Sequence, residues 1–476
     1  MKQLYKKGIF PIGAYCSPQP PACVDGVEYP NKITHEQYQM LADLGVNLVY
    51  AHNEVFGTDT EKYAFEALDL AEKVGVKVYV RDVIAREYAT TAGDKDKWYK
   101  TLTQEERADL DKRFEESLKR YCKHPAFGGI SFWDEPGYDA FEGIGAAKRV
   151  FERVCPNKTF YVNMFPYYIS PEQFQFGYWA GLKTEYKATI PEFAIREDGR
   201  NIERYKKLYE GAVEIAKLNF FSYDAYPFVT LGEGGETGVH EALWEIPQYL
   251  CGMEKKLGIP FWSFLQVGGQ WEGRKEVRIT TLGETRLGVS VPLLYGAKGL
   301  QLFPYMMPND WLGDKKVDAG VVNEQGEKTE RYDWYKELFA HVQAMSKTLL
   351  KSKLKAIVTA GEYKNGIDEE KFSKVHWNEL IFRGKLSACE SIDCNRYGDV
   401  RKVNAKSQVL IGCFDTDGKE TYLVVNNSSI NPTSVEIEFK SNFSRMITQS
   451  GRTRVAGGKY VDLELKAGEC VLVEKI

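Results

Sequence analysis

Strand-like and helix-like segments alternate along the first three quarters of this chain of 476 residues. Each short apolar or β-branched run is followed by an amphipathic stretch with the period of an α-helix. This alternation predicts an α/β fold, a (β/α)₈ TIM barrel, in which each strand pairs in parallel with the next. The rival, an open doubly wound sheet, is disfavoured because the sequence has no Gly-x-Gly-x-x-Gly after the first strand and no P-loop. The eight predicted strands are 10–16, 46–52, 77–83, 128–134, 159–165, 219–226, 260–266 and 299–305.

Capping residues mark the boundaries of several predicted helices. Thr34 is placed to cap a helix that ends at Gly45, because a threonine hydroxyl can accept from a free N–H group and glycine adopts the left-handed closing conformation. Thr103 and Glu106 have the spacing of a capping box, which predicts that a long helix begins just after Thr103.

The pattern changes after residue 350, where short strand-like runs separated by turn signals replace the alternation. Asp417-Gly418, between two such runs, is a hairpin signal. We therefore expect a catalytic barrel domain at 1–350 and a smaller all-β sandwich domain at 351–476. An aromatic insertion, 166–200, follows the fifth strand, and its length favours a lid or, if the protein is a homo-oligomer, a subunit contact.

Composition narrows the partners and the compartment. A net charge of −4 gives no basis for binding nucleic acid or an anionic membrane surface. No apolar run has the length of a membrane span or of a signal peptide core, which predicts a cytoplasmic protein; a secreted protein after removal of its signal peptide would look the same. The nine cysteines and six histidines are dispersed outside any metal-binding motif, so neither a metal site nor a cofactor is predicted.

The fourth predicted strand ends in two acids, in the sequence "ISFWDEPG". Because TIM barrels hold their active sites at the C-terminal ends of the strands, Glu135 should lie at the barrel mouth. Pro136 is expected to keep Glu135 in extended geometry, although an acid before Pro-Gly, taken alone, is more often part of a turn. Polar side chains at other strand ends favour a binding site for a polyhydroxylated ligand, since each hydroxyl taken out of water needs a partner. The predicted substrate contacts are Asp134, Asn53, Glu54, Arg81, Trp133, Asn163, Tyr226, Gln266, Trp271 and Tyr305.

Four segments, "GGISFWDEPG", "SYDAYPF", "PFWSFLQ" and "YGAKGLQLFPY", resemble the fourth, sixth, seventh and eighth strand segments of clan A glycoside hydrolase-like barrels that carry a C-terminal β-sandwich. The resemblance implies a carbohydrate substrate and gives Glu135 the role of general acid/base. Two positions depart from this family: Asp134 replaces the usual asparagine, and Gln266 stands where a nucleophilic glutamate is expected. Since glutamine cannot form the glycosyl ester, the second catalytic carboxylate would be Glu272, Asp224 or Glu54.

Three functions remain open from the sequence. The first is a glycosidase that acts on a short oligosaccharide or glycoside with paired carboxylates, Glu135 and a displaced second acid. The second is a barrel that only binds carbohydrate, which Gln266 would explain, and the third is a sugar lyase or isomerase with Glu135 as base. For acid catalysis near neutral pH the pKa of Glu135 must be raised, and we expect the charge of Asp134 and the rings of Phe132 and Trp133 to raise it.

Overall fold

A computed structural model describes residues 5–89, 99–167, 169–177, 202–231, 236–268, 278–308, 320–361, 390–391 and 397–476. Eight parallel strands form the first part of the fold: β1 Ile12–Ala14, β2 Leu48–Phe56, β3 Lys77–Asp82, β4 Phe127–Asp134, β5 Thr159–Met164, β6 Phe221–Tyr223, β7 Phe261–Gln266 and β8 Leu300–Phe303. They close into a barrel in the order β1-β8-β7-β6-β5-β4-β3-β2. The predicted TIM barrel is therefore confirmed.

Helices follow the strands along the chain, and their boundaries agree with the capping signals. The Thr34 side chain accepts from the N–H of Gln37, and Gly45 closes the helix in left-handed geometry. The capping box of Thr103 and Glu106 is formed in both directions. Among the described helices, none is both long and apolar enough to cross a membrane. The helices are α1 His35–Leu44, α2 Glu61–Val74, α3 Ala85–Tyr88, α4 Gln104–Tyr121, α5 Phe141–Val154, α6 Pro171–Phe176, α7 Ile202–Glu214, α8 Ala242–Leu257, α9 Leu282–Leu294 and α10 Glu330–Lys351.

The inside of the barrel is filled by aromatic rings, while the main apolar cluster packs between strands and helices. Tyr50 and Tyr161 lie with ring centroids 4.5 Å apart inside the barrel. The Tyr161 hydroxyl has a polar partner, since it lies 2.8 Å from Oγ of Ser222, which also accepts from Nε2 of Gln301 at 2.8 Å. A packed interior of this kind leaves the C-terminal mouth as the place for a ligand.

The C-terminal part of the chain is all β. A seven-stranded sheet and a three-stranded sheet pack around a separate apolar core, which confirms the predicted sandwich. Since α10 ends at Lys351 and the first of these strands begins at Lys353, the change of architecture is abrupt, and the domain boundary at 350/351 stays a prediction. The strands are β9 Lys353–Ala360, β10 Glu390–Ser391, β11 Val400–Ala405, β12 Val409–Thr416, β13 Lys419–Asn426, β14 Thr433–Phe439, β15 Arg445–Gln449, β16 Arg452–Ala456, β17 Tyr460–Leu465 and β18 Cys470–Lys475.

Buried hydrogen bonds join the sandwich to the barrel helices. Nε1 of Trp244 on α8 donates to Oδ1 of Asn427 at 3.0 Å, and the Ser290 hydroxyl on α9 donates to the carbonyl of Gly468 at 2.8 Å. These contacts lie on the outside of the barrel, so the sandwich supports the helices that follow β6 and β7 along the chain.

Candidate active site

Glu135 directly follows β4 and has its backbone in the left-handed region, with φ 48°. Its N–H donates to the carbonyl of Asn163 at 3.0 Å, so the contact between β4 and β5 continues one residue beyond the strand. Only 8% of Glu135 is exposed. The extended geometry expected from Pro136 is therefore wrong, because the chain must turn sharply while this hydrogen bond is kept. Such a conformation costs a non-glycine residue about 1–3 kcal/mol, and strained residues tend to cluster at active sites.

The turn after β4 is locked by close backbone packing against the end of α6. A Cβ atom added to Gly137 would lie 2.3 Å from the backbone nitrogen of Gly177, so only glycine fits there. The stacked rings of Tyr138 and Phe174, with centroids 5.5 Å apart, extend the contact. The first residues of the predicted insertion thus support this turn. Residues 178–200 lie outside the described part of the chain, and the role of the insertion as lid or subunit contact stays a prediction.

Asp134, the last residue of β4, is held from two other strand ends. The Tyr15 hydroxyl donates to its Oδ2 at 3.1 Å, and Nδ2 of Asn163 donates to its Oδ1 at 3.0 Å. The side chain is open to solvent at the barrel mouth. Surrounding protein still displaces part of its hydration, which raises the pKa of Asp134, while the two hydrogen bonds and the positive charge of Arg81 oppose that rise.

Asn163 is oriented by the polar interior of the barrel. Its Oδ1 accepts from the Ser222 hydroxyl at 3.1 Å, which leaves Nδ2 to face Asp134. Only 2% of Asn163 is exposed. We infer that its main task is to position Asp134, since a side chain so deeply buried has little surface to offer a ligand.

A bulge in β2 shapes the mouth next to β3. The predicted strand 46–52 extends to Phe56, and between Tyr50 and Val55 it carries more residues than the facing stretch of β3. Residues 51–54, which face Val80 alone, include two of the predicted substrate contacts. A bulge re-aims the side chains that follow it, which is why bulges are frequent beside active sites.

Glu54, within this bulge, is completely buried. Oε1 accepts from the Ser17 hydroxyl at 2.5 Å, and Oε2 accepts from the N–H of His52 at 3.2 Å. Burial raises the pKa of Glu54 to about 7, against the opposing effect of the Ser17 hydrogen bond and of Arg81. The carboxyl group therefore joins the segment after β1 to the bulge, and it gains or loses its proton near neutral pH.

The other polar groups of this region also brace the bulge. Nη1 of Arg81 donates to the carbonyl of His52 at 2.7 Å, and Nδ2 of Asn53 donates to Oε1 of Gln19 at 2.7 Å. Burial and the charge of Arg81 lower the pKa of His52 to about 3, so this imidazole is neutral. Arg81 and Asn53 are half-buried, and each keeps surface at the mouth.

Asp224 and Tyr226 follow β6. The Tyr226 hydroxyl lies 3.4 Å from Oδ2 of Asp224. Asp224 is 8% exposed, whereas the half-buried ring of Tyr226 packs against Phe303, with centroids 5.3 Å apart. This pair places a carboxylate beside an aromatic ring just after β6.

Gln266, at the end of β7, uses its amide to hold neighbouring backbone. Oε1 accepts from the N–H of Phe228 at 2.9 Å, and Nε2 donates to the carbonyls of Phe228 and Arg278 at 2.8 and 2.7 Å. The residue is 4% exposed. This arrangement favours a structural role over the predicted substrate contact. A carboxylate at this position would face two carbonyl oxygens, which explains why glutamine and not glutamate stands here.

The remaining predicted contacts differ in what the structure shows. Trp133 is partly buried and packs against the main apolar cluster. Tyr305 is fully buried, which argues against contact with a ligand. Glu272 and Trp271 lie outside the described residues.

Tyr15 and Ser17 also lie at the mouth, but the sequence did not predict them as site residues. Tyr15 directly follows β1 and Ser17 lies two residues further on, and the rule that strand ends carry the site would have found them. Within the described residues there is also no group of three or more His, Cys, Asp or Glu side chains that could hold a metal ion.

The comparisons with known proteins agree on the fold. The sequence matches no protein-family model and no curated protein. The β-galactosidase from Rahnella sp. R3 aligns over 98% of both chains with a TM-score of 0.52 and 12% identity. The β-galactosidase from Bacillus circulans sp. alkalophilus aligns over 98% of this chain and 99% of its own, with a TM-score of 0.52 and 10% identity.

A third solved structure, the β-galactosidase from Marinomonas ef1, aligns over 72% of this chain with a TM-score of 0.49 and 12% identity. This chain covers 62% of that protein, less than two thirds of its length. The first two similarities confirm, at the level of the fold, the resemblance to glycoside hydrolases with a barrel and a C-terminal sandwich.

Proposed function

We propose that this protein is a glycoside hydrolase in which Glu135 is the general acid/base. The observation that carries the proposal is the place of Glu135, a buried side chain in strained left-handed geometry immediately after β4. Catalytic groups of TIM barrels come from the ends of the strands, and backbone strain persists where the surrounding structure imposes it for function. The fold shared with glycoside hydrolases supports the same reaction class.

Asp224 is the second carboxylate that we propose. It follows β6, beside the Tyr226 hydroxyl. Gln266 has its amide bound to backbone, and Glu54 is completely buried, so neither is suited to attack a sugar. The separation of the carboxyl groups of Glu135 and Asp224 would decide the stereochemistry. About 5–5.5 Å gives retention through a glycosyl-enzyme, and roughly 6.5–9.5 Å gives inversion through a water molecule.

The proposed substrate is a short oligosaccharide or glycoside. The exposed carboxylate of Asp134 can accept hydrogen bonds from sugar hydroxyls, and the half-buried side chains of Arg81 and Asn53 can donate to them. The ring of Tyr226 offers a face on which a sugar can stack. Together these groups supply the acceptors, donors and apolar surface that a polyhydroxylated ligand needs.

Nitrophenyl glycosides of both anomers, together with disaccharides, test the role of Glu135. We expect hydrolysis by the wild type and a loss of about 10²–10⁴-fold in Glu135→Gln on disaccharides. The loss should be smaller on nitrophenyl glycosides, because nitrophenolate leaves without protonation. Glu142→Gln, in which the altered side chain is exposed and paired with Arg107, is the matched control and should keep the wild-type rate. Full activity of Glu135→Gln on disaccharides would falsify the assignment.

The role of Asp224 needs a separate measurement. NMR of the product anomer at early times distinguishes retention from inversion, and Asp224→Asn should then lose activity on both substrate classes. In a retaining enzyme, azide should restore cleavage by this variant with the opposite anomeric product, because azide replaces the missing nucleophile. Wild-type rates in Asp224→Asn would instead place the second carboxylate elsewhere.

A barrel that binds carbohydrate without hydrolysing it is the alternative, and the amide of Gln266 at the strand-seven position favours it. Calorimetric titration with the same glycosides separates the two functions. Binding by the wild type without release of product, and equal binding by Glu135→Gln, would support the alternative.

A further inference from the structure

Arg81 points into the barrel mouth from the end of β3. Side chains alternate between the two faces of a strand. The ring of Tyr79, two residues earlier, packs inside the barrel against Tyr50 and Tyr161, with centroids 5.3 and 5.9 Å away, whereas Asp82 points outward and bonds two side chains of α4. Arg81 therefore lies on the inner face, nearer the C-terminal end of the strand than Tyr79, and it is half-buried.

The guanidinium group of Arg81 is anchored at one point. Its Nη1 donates to the carbonyl of His52 at 2.7 Å, and the ring of His52 lies beside that of Tyr15, with centroids 6.2 Å apart. Because the Tyr15 hydroxyl bonds Asp134, these contacts place Arg81 in the same site as the acids after β4. No other hydrogen bond and no ion pair joins Arg81 to the described part of the chain, so most of its N–H donors remain for a ligand.

The carboxyl groups of this region are bound to other partners. Both oxygens of Asp134 accept hydrogen bonds, from Tyr15 and from Asn163. Those of Glu54 accept from a hydroxyl and from a backbone N–H. Charged groups that lose part of their water are usually paired with an opposite charge, and the structure leaves this place at Arg81 to a ligand.

Arg81 is the one positively charged residue among the strand ends that the structure describes at the mouth. His52 adds no charge, because burial and the charge of Arg81 lower its pKa to about 3. One guanidinium group balances one negative charge of a ligand. The strand ends compared are 15–17, 52–54, 81–82, 134–135, 163–165, 224–226, 266–268 and 303–305.

We propose that Arg81 selects glycosides whose sugar carries a carboxylate, so that the substrates are glycosides of uronic acids; this inference rests on the proposed function of the mouth as a site for glycosides. The planar fork of arginine binds a carboxylate through two parallel N–H···O bonds. A phosphate ester fits less well, because it carries about 1.5–2 negative charges and Asp134 adds another at the same mouth. The hydroxyls of the uronic acid remain for Asp134 and Asn53.

Calorimetric titration with matched sugars tests this selection. Each pair consists of a nitrophenyl uronide and the glycoside that has a hydroxymethyl group in place of the carboxylate, in the gluco and galacto series and in both anomers. The wild type is used, or Glu135→Gln for any glycoside that the wild type cleaves. We expect at least one uronide to bind roughly tenfold to a hundredfold more tightly than its neutral partner, the range that hydrogen bonds to a charged group provide. If no uronide does so, or if a glycoside 6-phosphate binds more tightly than the uronide, the proposal is wrong.

Variants of Arg81 show whether this side chain makes the selection. In Arg81→Gln the ratio of the affinities for uronide and neutral glycoside should fall to about one, whereas a general disturbance of the mouth would weaken both alike and keep the ratio. Arg81→Lys keeps the charge without the fork, so its ratio should lie between those of the wild type and Arg81→Gln, and it serves alone if Arg81→Gln does not fold. The matched control is Arg454→Gln in the sandwich, where the guanidinium group also donates to one backbone carbonyl, and it should keep the wild-type ratio. A wild-type ratio in either Arg81 variant would assign the preference to another group.

The titrations separate the selection by Arg81 from the proposed hydrolysis. A preference for the uronide that depends on Arg81, without release of product by the wild type, would support the selection and contradict hydrolysis. Hydrolysis of neutral glycosides by the wild type, without tighter binding of any uronide, would contradict the selection and leave the glycoside hydrolase proposal in place.

Discussion

The phenolic oxygen of Tyr15 lies 3.1 Å from Oδ2 of Asp134, so a hydrogen bond joins the ends of β1 and β4 across the barrel mouth. The other carboxylate oxygen of Asp134, Oδ1, accepts from Nδ2 of Asn163, near the end of β5. Asp134 is thus held by two strands at once, directly beside Glu135. These contacts fix a carboxylate at the barrel mouth.

We first predict that Tyr15→Phe raises the pKa of Asp134, because the lost hydrogen bond is one that lowers it. Hydrogen bonds to charged groups contribute about 1.5–3 kcal/mol, which corresponds to a loss of roughly tenfold or more in kcat/KM if the Asp134 anion binds substrate. On the proposed role of the Asp134 anion in binding substrate, the acid limb of the pH profile should move to higher pH. Tyr79→Phe, which removes a hydroxyl bonded to Thr159 deep in the barrel, should leave the profile in place.

The second prediction concerns the pH dependence of stability through Glu54. Its pKa of about 7 in the folded state lies above the ordinary value of 4.5, so its stabilising contribution is present at low pH and is lost as the pH rises through 7. Glu54→Gln keeps the shape and stays neutral. The free energy of unfolding of Glu54→Gln, relative to that of the wild type, should therefore increase between pH 4.5 and 8, by at most about 3 kcal/mol. Urea titrations across this range measure the difference.

The control for Glu54 is Glu116→Gln, an exposed glutamate on α4. Its difference from the wild type measures the effect of exchanging an exposed glutamate for glutamine over the same pH range. If the difference in free energy of unfolding between Glu54→Gln and the wild type does not change with pH, the pKa of Glu54 is not raised in the folded protein.

The order and kind of the elements follow from local sequence, and α4 shows why. The capping box of Thr103 and Glu106 and the spacing of buried Leu110, Phe114 and Leu118 are contained within the helix itself. Every barrel strand was equally predictable, because strands buried on both faces read as short apolar runs.

The directions of side chains at the mouth could not be predicted in this way. The bulge in β2 re-aims Glu54 into the protein, and no local pattern marks it. The left-handed geometry of Glu135 depends on a hydrogen bond to Asn163 and on contact with Gly177, both distant in sequence. From the sequence, Gln266 is interpreted as the loss of a nucleophile. Its hydrogen bonds to the backbone of Phe228 and Arg278, which the sequence does not show, indicate a structural role. These features arise from tertiary contacts that a single sequence does not contain.

The third prediction is that Gln266→Glu destabilises the protein and does not create a nucleophile. The new carboxylate would lose two hydrogen bonds and face the carbonyls of Phe228 and Arg278 in a buried position, at a cost of roughly 3–5 kcal/mol. Protonation relieves part of this cost, so the loss should be larger at pH 8 than at pH 5. Gln266→Met, without a charge, should be affected less and equally at both values. A stable Gln266→Glu that gains hydrolysis would show that this side chain faces the substrate.

The last prediction uses the backbone of Glu135. Alanine and glycine both remove the side chain, so their difference isolates the left-handed conformation at φ 48°. There Glu135→Gly should have a higher free energy of unfolding than Glu135→Ala by about 1 kcal/mol, because only glycine adopts this geometry without strain. At Glu116, inside α4, the alanine variant should instead have the higher free energy of unfolding, by about 1 kcal/mol over the glycine variant, since alanine favours a helix. Urea unfolding of the four variants measures both differences. If alanine is the more stable residue at both positions, the strain at Glu135 is not real and its link to catalysis loses its structural basis.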